Sequence, residues 1–234
     1  MDAVLTQIQD SHNLKANEWV VSWLRRLVPH AKVLDFASGQ GRHALAALAL
    51  GLQSYAWDQD GSALQALEAR SNGQVHTVAC DLEAQAWPDA QGKFDAVVVT
   101  NYLFRPRLSF LAELLKVGGL LIYQTFALGH ETLGRPRRPD FLLKPGELYD
   151  MAFAMGYHVL FYEDSVVNEA AGRPSGGVAL ESLGGQDVSA SPIESQRQIM
   201  ANPSSRVQRI VALKHDHLAA SPKALSAWPV NIPG

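Results

Sequence analysis

The apolar residues of the chain fall into short continuous runs that alternate with amphipathic stretches. Runs typical of buried strands cover residues 32–36, 53–57, 75–79, 94–100, 120–126, 157–162 and 207–213. Between them, apolar positions recur at helical spacing in residues 18–28, 42–50, 63–70, 108–115 and 145–155. Strands that alternate with helices favour a parallel sheet covered on both faces. The pattern therefore predicts a doubly wound α/β fold with three layers.

One segment departs from this alternation. Residues 165–205 hold eight Ser, five Gly and three Pro among 41 residues, and no aromatic residue. Such a composition buries little apolar area to offset the entropy that is lost on ordering. We therefore predict a single domain over residues 1–214 that includes a flexible insertion at 165–205. Residues 215–234, which contain three prolines, are predicted to form a C-terminal tail.

Charge and composition narrow the class of protein. The 234 residues include 20 Lys and Arg against 23 Asp and Glu, and the resulting net charge of −3 argues against a nucleic-acid partner. The single cysteine, Cys80, cannot form an internal disulfide and favours a reducing compartment. No apolar run approaches the length of about 18 residues that a membrane span needs, and the first residues do not resemble a signal peptide. These features predict a cytoplasmic protein without a membrane partner, and they leave the oligomeric state open.

The most informative motif follows the first predicted strand. Residues 33–41 read Val-Leu-Asp-Phe-Ala-Ser-Gly-Gln-Gly, and glycines at a strand-to-helix turn let a ligand approach the backbone and the positive end of the next helix. In an open parallel sheet this crevice is the usual ligand site. Gly39-x-Gly41-x-x-Ala44, with Asp58 17 residues after Gly41, satisfies a dinucleotide-binding pattern. However, Asp35 inside the strand favours a ligand with a positive group over an anionic pyrophosphate.

The motif Asp35-x-Ala37-x-Gly39-x-Gly41 resembles the first motif of the class I S-adenosylmethionine (SAM)-dependent methyltransferases. The sequence departs from the family at Ala37, where a glycine is usual. Asp58, at the end of the second strand, is similar to the acid that accepts hydrogen bonds from both ribose hydroxyls in that family. The resemblance therefore implies that Asp35, Ala37, Gly39, Gly41 and Asp58 bind SAM.

Two further strand ends extend the resemblance. Cys80-Asp81-Leu82 is similar to the element that meets the adenine amino group, which implies cofactor contacts for Asp81 and Leu82. Gln59, beside the ribose-binding acid, is a candidate to cover the adenine. Thr100-Asn101-Tyr102 matches the position that lines the transferred methyl group and the acceptor. We assign Thr100 to the cofactor, and Asn101 and Tyr102 to the reacting groups as catalytic candidates.

The resemblance implies a Rossmann-like methyltransferase fold with about seven strands, mostly parallel with one antiparallel strand. It also implies SAM as cofactor and in-line displacement of the methyl group by a lone pair of the acceptor. The segments Gly-Gln-Gly-Arg and Ala-Trp-Asp are similar to a subgroup near the tellurite-resistance and related small-molecule methyltransferases. Two alternatives stay open: an NAD-dependent oxidoreductase that uses the glycine turn, and a non-catalytic SAM-binding module.

Candidate acceptor-binding residues lie in two predicted loops. The loop after the fifth strand carries His130, Arg137 and Arg138, and Arg105 follows the fourth strand. Arginines hold anionic groups through charge-assisted hydrogen bonds, so we predict a small and anionic acceptor. His215-x-His217 lacks the further ligands of a tetrahedral set, and no metal site is predicted.

Overall fold

The structure is a computed structural model that describes residues 15–84, 87–90, 92–168, 173–174 and 204–215. The strands in these residues are β1 (Lys32–Phe36), β2 (Gln53–Asp58), β3 (His76–Ala79), β4 (Phe94–Thr100), β5 (Leu115–Phe126), β6 (His158–Asn168), β7 (Arg173–Pro174) and β8 (Ser204–Leu213). The α-helices are α1 (Glu18–Leu24), α2 (Arg42–Ala49), α3 (Gly61–Arg70), α4 (Leu111–Leu114) and α5 (Glu147–Ala154). Short 3₁₀ helices cover Arg105–Phe110, His130–Thr132 and Pro139–Phe141.

All of these strands belong to one sheet, in the order β3-β2-β1-β4-β5-β8-β6-β7. β1 to β5 are parallel, whereas β8 runs antiparallel between β5 and β6. The predicted α/β fold, mostly parallel with an antiparallel strand, is confirmed. The two-residue β7, antiparallel to β6, was not predicted. After β1 the chain continues to β2 on one side of the sheet, and after β4 it continues to β5 on the other side. A crevice therefore opens at the carboxyl ends of the neighbours β1 and β4.

Apolar layers cover both faces of the sheet, as the continuous apolar run of β4 predicts. Val97 and Val99 pack in a cluster with residues of α4 and α5. Ala96 and Val98 face the other way and pack with residues of α1 and α2. The central strands are thus fixed from both sides, which makes their carboxyl ends a rigid platform for a site. No helix among the described residues is long and apolar enough to cross a membrane.

The predicted insertion has the wrong limits. β6 runs to Asn168 and β8 begins at Ser204, and these two residues are paired across the antiparallel ladder. Residues 165–168 and 204–205 are therefore strand rather than insertion, because each segment completes the backbone hydrogen bonds of the other. Residues 169–172 and 175–203 of the predicted insertion lie outside the described residues, as do residues 216–234 of the predicted tail.

Two helix starts also differ from the prediction. α3 begins at Gly61 rather than at residue 63 as predicted, because the side chain of Asp60 accepts the N–H groups of Ser62 and Ala63 and is the N-cap. The helix predicted at 108–115 is a 3₁₀ helix over Arg105–Phe110 followed by the four-residue α4. Pro106 fits the first turn of that 3₁₀ helix, because a backbone N–H in the first turn has no partner within the helix and proline has none.

Candidate functional site

The glycine turn between β1 and α2 has a left-handed backbone at three positions. Ala37, Gly39 and Gly41 have φ values of 57°, 51° and 75°. At Ala37 this conformation costs about 1–2 kcal/mol, because a Cβ is present. At Gly41 a Cβ would lie 2.3 Å from Leu67 Cδ2, whereas a Cβ at Gly39 would meet nothing within 4 Å. Gly41 therefore serves packing, and Gly39 leaves its backbone open to a ligand.

Asp58 lies directly beside this turn. One carboxylate oxygen accepts the N–H of Gly39 at 2.7 Å, and the other accepts the N–H of Asp60 at 2.9 Å. The side chain thereby holds the glycine turn against the end of β2. Each oxygen keeps a further lone pair for another donor. The structure thus brings together two of the predicted cofactor-binding residues.

Asp35 is 1% exposed, and its side chain takes the role that an N-cap side chain would have at the start of α2. Gly41, the N-cap of α2, has no side chain that can accept a hydrogen bond. Asp35 Oδ2 accepts the N–H of Ala44 in the first turn of the helix at 3.0 Å instead. The negative carboxylate is stabilised by the positive helix end. A dinucleotide pyrophosphate at this helix would therefore lie against a buried carboxylate, which argues against the NAD alternative.

The Tyr102 side chain lies against the end of β1. Its ring packs edge-on against Phe36, with centroids 5.7 Å apart. Burial and the nearby carboxylates of Glu83 and Asp81 raise the pKa of Tyr102 to about 12. The predicted role of Tyr102 at the reacting groups stays a prediction.

The remaining predicted cofactor residues occupy the strand ends as expected from the sequence. Asp81 accepts the N–H of Glu83 at 2.9 Å, and Leu82 is buried. Gln59 is exposed next to Asp58. Thr100 is 9% exposed at the end of β4, and Asn101 after it has a left-handed φ of 55°. Such backbone strain outside glycine is frequent at functional sites.

Two buried polar atoms near the crevice have no hydrogen-bond partner among the described residues. They are Ser38 Oγ in the glycine turn and Tyr102 Oη. An unpaired buried polar group costs about 1–3 kcal/mol. A polar ligand that reached these atoms would recover part of that cost. The residues at the crevice therefore fit a bound cofactor with several polar groups.

A buried polar network extends the site towards β8, and most of it was not predicted. Gln124 Oε1 accepts Nδ2 of Asn17 at 3.0 Å and Nε of Arg209 at 2.6 Å. Arg209 is 5% exposed and lies 3.4 Å from Glu163. His43, in α2, is 2% exposed. A polar residue inside an apolar strand, such as Gln124 in β5, was the sequence feature that could have revealed this network.

Arg105 was predicted to bind the acceptor, but four of its five N–H donors make hydrogen bonds within the chain. It pairs with Glu147 through two hydrogen bonds of 2.5 and 2.9 Å, and it also donates to the carbonyl oxygens of Asp140 and Leu142. These contacts tie the segment after β4 to the loop after β5 and to α5. Arg105 is therefore a structural clamp, which argues against the predicted contact with the acceptor.

This clamp predicts a pH-dependent stability. The hydrogen bonds of Arg105 hold the pKa of Glu147 below its usual value of 4.5. The stabilisation is therefore complete above that value and disappears as the pH falls through the lower pKa of the folded state. We expect Glu147→Gln to reduce the free energy of unfolding by about 1–2 kcal/mol at pH 7, and the difference from the unchanged protein to shrink below about pH 4.5. Urea unfolding between pH 3 and pH 7 measures this.

The matched control for this clamp is the pair between Arg138 and Asp140, whose side chains are 73% and 74% exposed. Because exposed ion pairs contribute little, Asp140→Asn should leave the free energy of unfolding nearly unchanged at every pH. An equal loss in both variants would contradict the role of Arg105 as a clamp.

His130 is likewise part of the loop's own structure. Its residue exposure is 3%, and its ring stacks on Phe126 with centroids 4.3 Å apart. Nδ1 accepts the N–H of Arg206, so Nε2 donates to the carbonyl oxygen of Arg135. Both ring nitrogens are thus used within the fold, which argues against the predicted contact of His130 with an acceptor.

Arg137 and Arg138 keep the exposure that the acceptor prediction requires. Arg137 donates to the carbonyl oxygen of Gly134 at 3.4 Å, and Arg138 pairs with Asp140 at 3.0 Å. Within the described part of the chain, no group of three or more His, Cys, Asp or Glu residues is arranged to hold a metal ion. His217 lies outside that part.

Comparisons with known proteins agree with this geometry. A family described as "Methyltransferase domain" matches residues 33–119, which include the glycine turn, Asp58 and the end of β4. No curated protein matches the chain.

Three solved structures illustrate the likeness of the fold. TehB from Haemophilus influenzae is 20% identical, with a TM-score of 0.59 over 85% of this chain and 62% of TehB. A TehB-like SAM-dependent methyltransferase from Corynebacterium glutamicum is 16% identical, with a TM-score of 0.55 over 89% of this chain and 96% of its own. Phosphoethanolamine N-methyltransferase 2 from Haemonchus contortus, in complex with S-adenosyl-L-methionine, is 19% identical, with a TM-score of 0.56 over 85% of this chain and 53% of its own. The chain thus spans less than two thirds of the first and third of these proteins.

Proposed function

We propose that the chain is a class I SAM-dependent methyltransferase that transfers the methyl group to a small, anionic acceptor at the edge of the sheet formed by β4 and β5. The observation that carries the cofactor part is the pairing of Asp58 with the open backbone of Gly39 at 2.7 Å. A carboxylate and a ligand-accessible turn are thereby fixed side by side at the switch point of the sheet.

The residues present can hold SAM along the ends of β3, β2, β1 and β4. The free lone pairs of Asp58 would accept the two ribose hydroxyls. Asp81, Leu82 and Gln59 would surround the adenine, and we propose that Tyr102 lies beside them. When bound, SAM supplies a methyl group on a positively charged sulfur. Ala37, Gly39 and Gly41 would shape the turn against the cofactor.

The protein's contribution to the reaction would be alignment and exclusion of water. SAM carries the intrinsic reactivity, so the chain needs to hold the acceptor's lone pair in line with the methyl group. Thr100 and Asn101, at the end of β4, are proposed to line that position, next to Asp35. The left-handed backbone of Asn101 supports this role.

The low cysteine content is the reason that we also propose a cytoplasmic location.

Mass spectrometry of the purified protein tests the cofactor directly, because carried-over SAM or S-adenosylhomocysteine would be released on denaturation. Calorimetric titration with SAM and with NAD separates the two cofactor classes. We expect binding of SAM and none of NAD. Binding of NAD alone would overturn the proposal, and binding of SAM without methyl transfer to any component of a cell extract would support a non-catalytic module.

Arg137 and Arg138 are the proposed contacts to the anionic acceptor. Once a labelled-methyl screen of cell extract has found an acceptor, we expect Arg137→Gln combined with Arg138→Gln to raise its KM by about tenfold, which corresponds to the loss of a charge-assisted hydrogen bond. The Kd of S-adenosylhomocysteine should not change. Asp140→Asn, which frees Arg138 from its partner, is the control and should not raise KM. An unchanged KM in the double variant would show that this loop does not contribute to acceptor binding.

A further inference from the structure

Three elements that are distant in sequence meet at the buried imidazole of His43. Its Nε2 accepts the backbone N–H of Asn17 at 3.3 Å. Its Nδ1 lies 3.4 Å from Thr100 Oγ1 and 3.8 Å from Asp35 Oδ1. One ring in the first turn of α2 therefore joins the N-cap residue of α1 to the ends of β1 and β4.

These contacts select one tautomer of the ring. A backbone N–H can only donate, so Nε2 of His43 carries a lone pair and the ring hydrogen is on Nδ1. The Nδ1–H group then faces two oxygen acceptors, the Thr100 hydroxyl and the Asp35 carboxylate. This fixes the orientation of Thr100 as well, because its oxygen faces the ring and its own hydrogen is left to point elsewhere.

Asn17 is held a second time by the sheet. Its Nδ2 donates to Gln124 Oε1 at 3.0 Å, while its Oδ1 accepts the N–H of Trp19 and caps α1. Gln124 is fully buried and is paired with Thr100 across β4 and β5. The start of α1 is thus fixed over the ends of β4 and β5, on the other side of β1 from Asp58.

We propose that His43 is a positioning residue for the methionine half of the cofactor, which it serves by fixing Asn17, Thr100 and Asp35. This rests on the proposed function, which places the adenosine half at Asp58 and Asp81 on β2 and β3. An extended cofactor that starts there crosses β1 towards β4. The buried His43 ring does not reach the ligand itself and acts through the residues that it holds.

A comparison of two ligands tests this assignment. S-adenosylhomocysteine contains the methionine-derived half and adenosine lacks it. We expect His43→Leu, which removes all three contacts, to weaken S-adenosylhomocysteine binding by about tenfold or more, while adenosine binding changes less than about twofold. His43→Asn retains an amide near the position of Nδ1 and should recover part of the lost affinity. Calorimetry on the full-length, ligand-free chain measures both constants.

Ser54→Ala is the matched control, because Ser54 Oγ makes a buried hydrogen bond of 2.7 Å to Ala44 in the same helix. It should lower stability without changing the ratio of the two constants. An equal loss of both ligands in His43→Leu, or unchanged S-adenosylhomocysteine binding, would overturn the role of His43. Failure of the unaltered protein to bind either ligand would instead overturn the proposed function.

A spectroscopic measurement needs no folded variant. Long-range ¹H–¹⁵N correlation spectra of the unaltered protein should show His43 as the neutral tautomer with hydrogen on Nδ1. A ring with hydrogen on Nε2 would contradict the contact with Asn17 and, with it, the positioning role.

Discussion

Replacement of Asp58 by alanine should cost about 10- to 150-fold in SAM affinity, or roughly 1.5–3 kcal/mol. The carboxylate would lose its proposed bonds to the ribose, and the glycine turn would lose the acceptor that holds Gly39 at 2.7 Å. Asp58→Asn keeps one acceptor oxygen, so its loss should be smaller. Isothermal titration with SAM measures the effect.

Asp60→Ala provides the control on the same turn. Asp60 caps α3 by accepting the N–H groups of Ser62 and Ala63. The loss of this cap should lower the free energy of unfolding by about 1 kcal/mol. SAM affinity should stay within about twofold of the unaltered value. If Asp58→Ala and Asp60→Ala weakened SAM binding equally, the effect would come from the turn as a whole and the assignment of Asp58 to the ribose would fail.

Gly41→Ala should be the most destabilising single substitution in the glycine turn. The added Cβ would lie 2.3 Å from Cδ2 and 2.9 Å from Cγ of Leu67, a fully buried side chain without room to move. With the strain of an alanine at a φ of +75°, we expect a loss of about 2–4 kcal/mol in the free energy of unfolding. Urea denaturation monitored by circular dichroism gives this value.

Gly51→Ala separates strain from collision. Gly51 has a φ of +76°, but a Cβ there would meet nothing within 4 Å, so only the strain of about 1–2 kcal/mol is expected. Leu67→Ala combined with Gly41→Ala should show a favourable coupling, because the smaller side chain makes room for the new methyl group. Equal losses for Gly41→Ala and Gly51→Ala would refute the collision with Leu67.

The parts of the fold that the sequence predicted well depend on local pattern. β4 has the predicted limits, Phe94–Thr100, because an apolar run that is buried on both faces has an unambiguous length. The glycine turn was also recognisable, because glycines at positions 39 and 41 indicate a left-handed backbone that other residues adopt less readily. The limits of β6 and β8 were not predictable in this way. Most of their outer residues are polar, and these segments become strand only because each pairs with the other.

The site was less predictable on the acceptor side, because the partners of its polar residues are remote in sequence. Asn17 and Gln124 are 107 positions apart. Arg105 has the chemistry of an anion-binding residue, but Glu147, 42 positions further along, already accepts two of its hydrogen bonds. Residue type indicates which bonds a side chain can make, and only the folded chain shows whether those bonds are already made.

The position of β8 has a consequence for how the chain is synthesised. Among the described residues, β8 is the last strand of the sheet in sequence, and it lies between β5 and β6. Until residue 213 has left the ribosome, β5 presents an open backbone edge and β6 has no long neighbour with which to pair. Such an edge is a template for aggregation. The sheet therefore cannot be completed until β8 has been synthesised, and truncation before Ser204 should yield insoluble protein rather than a smaller folded one.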